Sequence, residues 1–329
     1  MPNKELAKKL IKKIDIKKAV SFAGTILMLI ALIFVFRRLF HMREDLDFSI
    51  FSHGWIFVPL LSIVLLESFT LILASINYRS LVVSISGVFV PWHIAIKIYN
   101  ITNMYKFIPG GLMQMVGRNR LALETEGLGH GKVALATVTE GVLWAIAAFI
   151  FSFIFAFNHL IYYLRQLDAS LAIILILSSA FLITIFILYR FRKSLKLVIE
   201  NIKNDTSEPF ITIGIKHLIF MIAIVSLWGL SFLATLTVLG QPLTLPLAIL
   251  VSGLFVLSWL MGYLTPGAPS GLGIREFVLL MSLSGIISEE ILLSAIILQR
   301  ILQIFGDILA YVMTMTYVHA KTIRNQNSR

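Results

Sequence analysis

The sequence predicts an all-α membrane protein that crosses the bilayer several times and contains two broken helix hairpins. Three observations predict this class. Of the 329 residues, 58% are hydrophobic and only 14% are charged, whereas a soluble domain carries about 25% charged residues. Several apolar runs reach about 20 residues, the length that spans ~30 Å of hydrocarbon. Two further apolar stretches are interrupted by glycine, proline and charge in their middle.

Residues 1–18 form a basic segment that precedes the first apolar run. The net charge of the chain is +11, and seven lysines lie in this segment, with leucine and isoleucine at helical spacing on the opposite side. This pattern is typical of an amphipathic helix on an anionic leaflet, or of a solvated cytoplasmic tail that follows the positive-inside rule. Both readings place the N-terminus in the cytoplasm, and neither requires nucleic acid as a partner.

Six full spans are predicted, and the charged loops orient them. Loops rich in lysine and arginine stay in the cytoplasm, and the 190–203 loop carries five such residues. We therefore expect a plasma-membrane protein with a transmembrane domain at 19–318, halves at about 19–158 and 169–318, and a cytoplasmic tail at 319–329. The predicted spans are 19–40, 54–78, 132–157, 169–189, 211–239 and 289–318.

The stretches 88–127 and 246–286 are expected to enter and leave the membrane on the same side. Each is then a re-entrant hairpin or a pair of half-length helices, which survives at membrane depth only beside protein or a water-filled cavity. Both contain Pro-Gly followed by an arginine nine positions after the proline. Because the first half starts inside and the second outside, the chain is expected to form an inverted-topology repeat, an architecture common in secondary transporters.

The breaks predict a site for an anionic phosphate head group. A helix that restarts after Pro-Gly exposes backbone N–H groups and its positive dipole end, and arginine donors match phosphate oxygens. Alternatively, Arg118 and Arg275 pair with Glu124 and Glu276 and only hold the hairpins together. The candidate head-group residues are Pro109, Gly110, Gly111, Arg118, Arg120, Pro266, Gly267, Gly271, Gly273, Arg275 and Glu276.

Four further charged residues are expected inside the spans: Glu67, Glu140, Arg300 and Asp307. Charges at this depth usually face a partner or a wet cavity, because burial in lipid costs several kcal/mol. We predict a Glu140–Arg300 pair between the halves; separate snorkelling or interhelical hydrogen bonds are the alternative. The chain has no cysteine and no metal-binding or nucleotide-binding motif, so no cofactor and no metal are expected.

Two motifs resemble the lysylphosphatidylglycerol synthase transmembrane-region family, which is also described as flippase-like. They are FIPGGLMQMVGRNRL, with Glu140 downstream, and TPGAPSGLGIREFVL. The second is similar to the family's P-x-G-x-G-x-R-E stretch through Pro269, Gly271, Gly273, Arg275 and Glu276, and the resemblance covers about residues 15–320. It implies a domain that moves aminoacylated or polyprenyl-linked lipids between leaflets. Bifunctional members carry a soluble aminoacyl-transferase domain; this chain ends at Arg329, so lysyl transfer is not expected.

Three functions follow from these observations. The leading prediction is a lipid transporter or flippase whose partners are membrane lipids with anionic head groups. The second is a non-catalytic membrane partner of an enzyme of envelope lipid or glycan synthesis. The third is an intramembrane transferase or hydrolase for a lipid-linked phosphate, for which His93 and Glu140 are the candidate base or nucleophile. No catalytic residue is assigned, since the chain is not expected to be an enzyme.

Overall fold

A computed structural model of the protein describes residues 54–107, 113–165, 210–265 and 268–327, with isolated helical positions between residues 26 and 40. Every regular element within these ranges is a helix, as predicted. The predicted span 169–189 and the basic segment 1–18 lie outside the described residues. The predicted tail continues the last helix as far as Asn327.

Nine α-helices are described, and five of them have 20 residues or more. A 3-10 turn at Gly54–Ile56 leads into the first helix, and a glycine with φ of 67°, Gly87, ends it by donating its N–H to the Val83 carbonyl. In chain order the helices are α1 Phe57–Ser86, α2 Trp92–Asn103, α3 Met113–Arg118, α4 Arg120–Glu124, α5 His130–Arg165, α6 Phe210–Val238, α7 Leu245–Leu264, α8 Ile274–Leu283 and α9 Glu289–Asn327.

Five of the described helices are long and apolar enough to cross a membrane, which indicates a helical membrane protein. Four of them coincide with predicted spans. The fifth is α7, whose 20 residues extend over about 30 Å. The expectation that 246–286 is a re-entrant hairpin or a pair of half-length helices is therefore wrong for α7, which is long enough to span the membrane. In the stretch 88–127, by contrast, α2 is a half-length helix: its 12 residues extend over about 18 Å.

Apolar side chains cover the outward faces of these long helices. On α1, Val58, Leu61, Leu65 and Phe69 are exposed and recur every three or four residues, the spacing that puts side chains on one helical face. Exposed apolar side chains on α6 and α9 follow the same spacing, and they include Ile215, Ile219, Ile301 and Ile308. Apolar area of this extent marks a surface that faces lipid or another apolar partner.

Helices of the first half pack antiparallel against helices of the second. Helix α6 runs opposite to α1, because Asn77 contacts His217 while Glu67 contacts Ser231. Helix α9 runs opposite to α2, which it contacts through two hydrogen bonds between side chains. Helix α7 likewise runs opposite to α5, with a glycine of each helix lying against the other. The long helix that follows each interruption thus packs on the helix that precedes the other interruption.

Charge is distributed unevenly between the two ends of this bundle. Lysines lie at the end where α1 and α9 finish and where α2, α5 and α6 begin: Lys97, Lys132, Lys216 and Lys321. Helix α9 starts at the opposite end with Glu289 and Glu290. Near the lysine end, the Arg79 guanidinium lies 3.8 Å from the ring centroid of Trp92 and donates to the Val90 carbonyl, which ties α1 to the start of α2.

Candidate functional site

The two interruptions of the helices lie against each other. We call residues 104–112 the first break and residues 265–273 the second break. The 3-10 turn Met104–Phe107 of the first contacts the 3-10 turn Pro269–Gly271 of the second, so the topology brings both breaks to one place between the halves. Five of the predicted head-group residues lie outside the described residues: Pro109, Gly110, Gly111, Pro266 and Gly267.

Left-handed backbone separates α7 from α8 within the second break. Ser270, Gly271 and Gly273 have φ values of 52°, 68° and 82°, and such conformations favour glycine, which has no Cβ to clash. A Cβ on Gly271 would lie 2.8 Å from the Gly262 Cα and 2.8 Å from the Arg275 Cδ. The glycines therefore let the second break close onto α7 and hold the Arg275 stem between them.

Arg275 is buried and has no carboxylate within ion-pair distance among the described residues. It lines a cavity of about 20 Å³, which is room for about one water molecule. The Glu276 carboxylate beside it in sequence is already engaged by Arg300. Other side chains lining this cavity are Phe232, Phe255, Ser258, Gln299 and Gln303.

Arg118, by contrast, is neutralised. Its guanidinium contacts the Glu140 carboxylate, and both side chains are buried. It also lies over two aromatic rings, 4.7 Å from the centroid of Tyr78 and 4.3 Å from that of Tyr99. The Tyr99 hydroxyl and Trp144 Nε1 donate to Glu140 Oε1 at 2.9 and 3.1 Å. This arrangement ties α2, α3 and α5 together and leaves Glu140 well supplied with donors.

Arg300 holds the second break. It contacts the Glu276 carboxylate and donates to the Ser270 carbonyl oxygen at 3.2 Å. The predicted Glu140–Arg300 pair is therefore wrong, because each residue pairs within its own half. Both pairs instead fasten the short helix after a break to the long helix that follows it.

Arg120 lies apart from the buried groups. Its side chain is 59% exposed and its nearest carboxylate oxygen, on Glu124, is 3.9 Å away. Glu124 also lies 3.4 Å from the Lys97 ammonium. The predicted Arg118–Glu124 pair is thus replaced by a surface cluster, and Arg120 does not join the other head-group candidates.

Glu67 belongs to a buried hydrogen-bond network that joins α1, α6 and α9. Ser231 Oγ donates to Glu67 Oε1 at 2.6 Å, and Gln299 Nε2 donates to the same oxygen at 2.8 Å. Gln299 Oε1 accepts from Thr235 Oγ1 at 2.5 Å. No cation of the described residues lies within ion-pair distance of Glu67, so neutral donors alone support this carboxylate.

Asp307 connects α9 to the first break. Lys106 Nζ lies 2.6 Å from Asp307 Oδ2, and Asn103 Nδ2 donates to Asp307 Oδ1 at 3.0 Å. One turn earlier on α2, Asn100 Nδ2 donates to Thr314 Oγ1, also at 3.0 Å. These contacts fix the position along α9 at which the first break packs against the second half.

A close helix crossing at Gly306 gives a stability prediction. A Cβ at this position would lie 2.5 Å from the Glu67 Cβ and 3.2 Å from the Ser68 nitrogen. Because overpacking a tight contact costs about 1–3 kcal/mol, Gly306→Ala should lower the thermal unfolding midpoint in detergent. Gly214→Ala is the matched control, since nothing lies within 4 Å of that position on α6. An equal effect of the two substitutions would contradict a tight crossing at Gly306.

Three tryptophans form an aromatic cluster between α5, α6 and α7. Trp144 stacks on Trp228 with centroids 5.0 Å apart, and Trp259 lies 4.9 Å from Trp228. Tyr263 stacks on Trp259. The cluster contacts the surroundings of two buried carboxylates, Glu140 and Glu67. Trp144 donates a hydrogen bond to Glu140. Trp228 Nε1 donates at 3.3 Å to the hydroxyl of Thr70, which lies one turn from Glu67.

Sequence reasoning did not identify several of these residues. Spacing offered a signal for some: Asn100, Asn103 and Lys106 recur every three residues, and Ser231 and Thr235 are four apart, which places each set on one helical face. No comparable signal marks the aromatic residues that surround Arg118. The residues missed are Tyr78, Tyr99, Asn100, Asn103, Lys106, Trp144, Trp228, Ser231, Thr235 and Trp259.

No protein-family model matches the chain, and a search of curated proteins finds no relative. The resemblance to the lysylphosphatidylglycerol synthase transmembrane-region family, stated on the two break motifs, stays a prediction. Fold and site therefore support the functional proposal: the described residues form five helices of span length and no strand, and they gather buried charges where two interrupted helices meet.

Proposed function

We propose that this protein is a membrane lipid transporter of the flippase type. Its substrate would be a phospholipid or polyprenyl-linked lipid with an anionic head group, moved from one leaflet to the other. The observation that carries the proposal is Arg275: a buried guanidinium, without a carboxylate partner among the described residues, at the meeting point of the two breaks.

The other arginines support this assignment by contrast. Arg118 contacts a buried carboxylate and Arg300 contacts a half-buried one, whereas Arg120 is exposed beside Glu124. A charge at membrane depth costs several kcal/mol unless it faces a partner or a wet cavity. Arg275 faces a cavity, and a guanidinium fork suits the oxygens of a phosphate. We therefore infer that the head group binds at Arg275, while Arg118 and Arg300 keep the broken helices in place.

The helix directions support an alternating-access mechanism. By chain order, α1 corresponds to α6, α2 to α7 and α5 to α9. The two helices of each such pair run in opposite directions, as an inverted repeat requires. The cavity beside Arg275 holds about 20 Å³, about one water, so a phosphate group enters only when the halves separate. Rocking of one half against the other would open the site to each leaflet in turn while the acyl tails stay in lipid.

The lysine-rich end of the bundle supports a cytoplasmic location for that end. Positively charged residues near the ends of spans are retained on the cytoplasmic side, and Lys97, Lys132 and Lys321 lie there. The C-terminus of α9 then faces the cytoplasm of a plasma membrane. Its start, at Glu289 and Glu290, faces the opposite compartment.

Leaflet exchange in proteoliposomes tests the proposal. Liposomes with a fluorescent anionic lipid would receive wild type, Arg275→Ala or Arg120→Ala, and a membrane-impermeant quencher would report the label in the outer leaflet. Wild type and Arg120→Ala should exchange label at similar rates, while Arg275→Ala loses at least about tenfold, the effect of 1.4 kcal/mol. Circular dichroism and gel filtration would check that each variant is folded.

Two results would contradict the proposal. Equal rates of leaflet exchange by Arg275→Ala and Arg120→Ala would show that the head group does not bind at Arg275. Wild-type exchange no faster than protein-free liposomes, over several anionic head groups, would remove lipid transport and favour a non-catalytic partner of an envelope-synthesis enzyme.

A further inference from the structure

We propose that Glu67 is a proton-binding site that couples transport to the proton gradient, one proton accompanying each singly charged head group at Arg275. The inference rests on the proposed function for its cargo, but the proton site has its own structural basis. That basis is a buried carboxylate in the middle of α1 that is supported by neutral donors alone.

The other carboxylates near the breaks do not offer such a site. Glu140 contacts Arg118, Glu276 contacts Arg300, and Asp307 contacts Lys106. Adding a proton to a carboxylate in an ion pair would leave its cation unpaired in a poorly solvated place, which costs free energy. Glu67 is 6% exposed and has no such cation among the described residues, so it can gain or lose a proton without stranding a partner.

Charge balance around Glu67 explains why a proton and an anion would travel together. Three charged groups interact with it electrostatically without forming an ion pair with it: Asp307 of α9, Lys106 of the first break and Arg275 of α8. The facing side chains of α6, Ser231 and Thr235, are neutral. Counted as formal charges, these two carboxylates balance the two cations when the site is empty. A bound monoanion adds one negative charge, and a proton on Glu67 restores neutrality.

Gln299 joins the two sites physically. Its amide nitrogen donates to Glu67 Oε1 and to Ser231 Oγ, and its side chain lines the cavity beside Arg275. Its amide oxygen already accepts a hydrogen bond from Thr235. A proton from the aqueous phase needs only the carboxylate, where it forms an O–H bond and nothing else changes covalently.

The coupling ratio fixes the size of the expected effect. At one proton per monoanion, a gradient of about one pH unit should shift the steady-state ratio of labelled lipid between leaflets about tenfold. Because the transported pair is electroneutral, a potassium diffusion potential at equal pH should leave the ratio unchanged. The experiment measures that ratio in proteoliposomes with a singly charged fluorescent phospholipid, for wild type, Glu67→Gln and the control Glu124→Gln.

We expect Glu124→Gln to behave as wild type, and Glu67→Gln to give a ratio near unity under the same pH gradient. Lipid movement by wild type without a response to pH, or with a response to sodium or to potential instead, would overturn the inference and leave the proposed function intact. A Glu67→Gln protein that keeps the tenfold ratio would overturn it as well.

Infrared difference spectra on a pH step test the proton site without any transport. Wild type should show a carboxylic-acid carbonyl band that Glu67→Gln lacks and Glu124→Gln retains. Even if no lipid moves in the transport assay, loss of this band in Glu67→Gln supports the proton site. Persistence of the band in Glu67→Gln overturns it. Should Glu67→Gln fail to fold, Ser231→Ala replaces it, because it keeps the carboxylate and removes one donor to it, together with one acceptor of the Gln299 amide. Ser231→Ala must then move the midpoint of the band, whereas Ser226→Ala, whose hydroxyl bonds the Ile222 carbonyl of its own helix, must not.

Discussion

Replacing Glu140 with alanine is expected to lower the free energy of unfolding by about 3–5 kcal/mol, the cost of leaving a buried charge without its partner. The stranded charge is Arg118, which is as buried as Glu140 itself. The substitution also removes the acceptor of the Tyr99 hydroxyl and of Trp144 Nε1, and an unpaired buried donor adds to the loss. Denaturation in mixed micelles, followed by circular dichroism, measures the change.

Two further variants separate charge from packing at this site. Glu124→Ala removes a carboxylate from the surface cluster and should cost no more than about 1 kcal/mol. The double variant Arg118→Met with Glu140→Leu should recover most of the stability lost by Glu140→Ala, because well-packed apolar residues often replace a buried ion pair without loss. A Glu140→Ala protein as stable as Glu124→Ala would show that the pair is not buried as described.

Truncating Trp144 to alanine is expected to cost about 3–5 kcal/mol, as for other large core aromatics. Trp144 is 7% exposed, stacks on Trp228 and lies 6.4 Å from the centroid of Trp259. Its removal would open a cavity where α5, α6 and α7 meet and would release Glu140 Oε1 from one donor. Both the unfolding midpoint and the tryptophan fluorescence maximum should shift.

The controls for this prediction come from the same residue type. Trp144→Phe keeps an aromatic ring in the stack but loses the hydrogen bond, so we expect about 1 kcal/mol and a small cavity term. Trp55→Ala removes a tryptophan that is 63% exposed, and it should change stability by no more than about 0.5 kcal/mol. Equal losses for Trp144→Ala and Trp55→Ala would contradict a packed aromatic cluster.

Composition and run length were sufficient to predict most of the described fold. Hydrophobic runs at 54–78, 132–157, 211–239 and 289–318 each became a helix of span length, because an isolated backbone in lipid has to bond to itself. Grouping 246–286 as one broken stretch hid α7, since the Pro-Gly of the second break comes only after 20 helical residues. Proline and glycine marked where the chain breaks, but not how much helix lies on each side.

The sequence predicted the charged residues of the site better than their partners. Helical spacing says which side chains share a face, but it does not give the depth at which two helices cross or the direction of a short helix. The predicted Glu140–Arg300 pair failed for this reason: α3 and α8 fold back on the following long helices, so Arg118 and Glu276 reach these residues first. Spacing also gave no sign that Arg275 has no carboxylate partner among the described residues, because this depends on how the other charges pair.

Contacts between α2 and α9 have a consequence for biogenesis. Asn100 and Asn103 bond to residues 214 and 204 positions later in the chain, and a ribosome needs about 10–40 s to add that much polypeptide. Helix α2, at about 18 Å, is too short to cross the hydrocarbon core alone. During this interval Asn103 and Lys106 lack their partner Asp307, so the segment has to wait at the interface or in the translocon. A nascent chain that stops before α9 would thus expose unpaired polar groups, which makes it a substrate for membrane proteases.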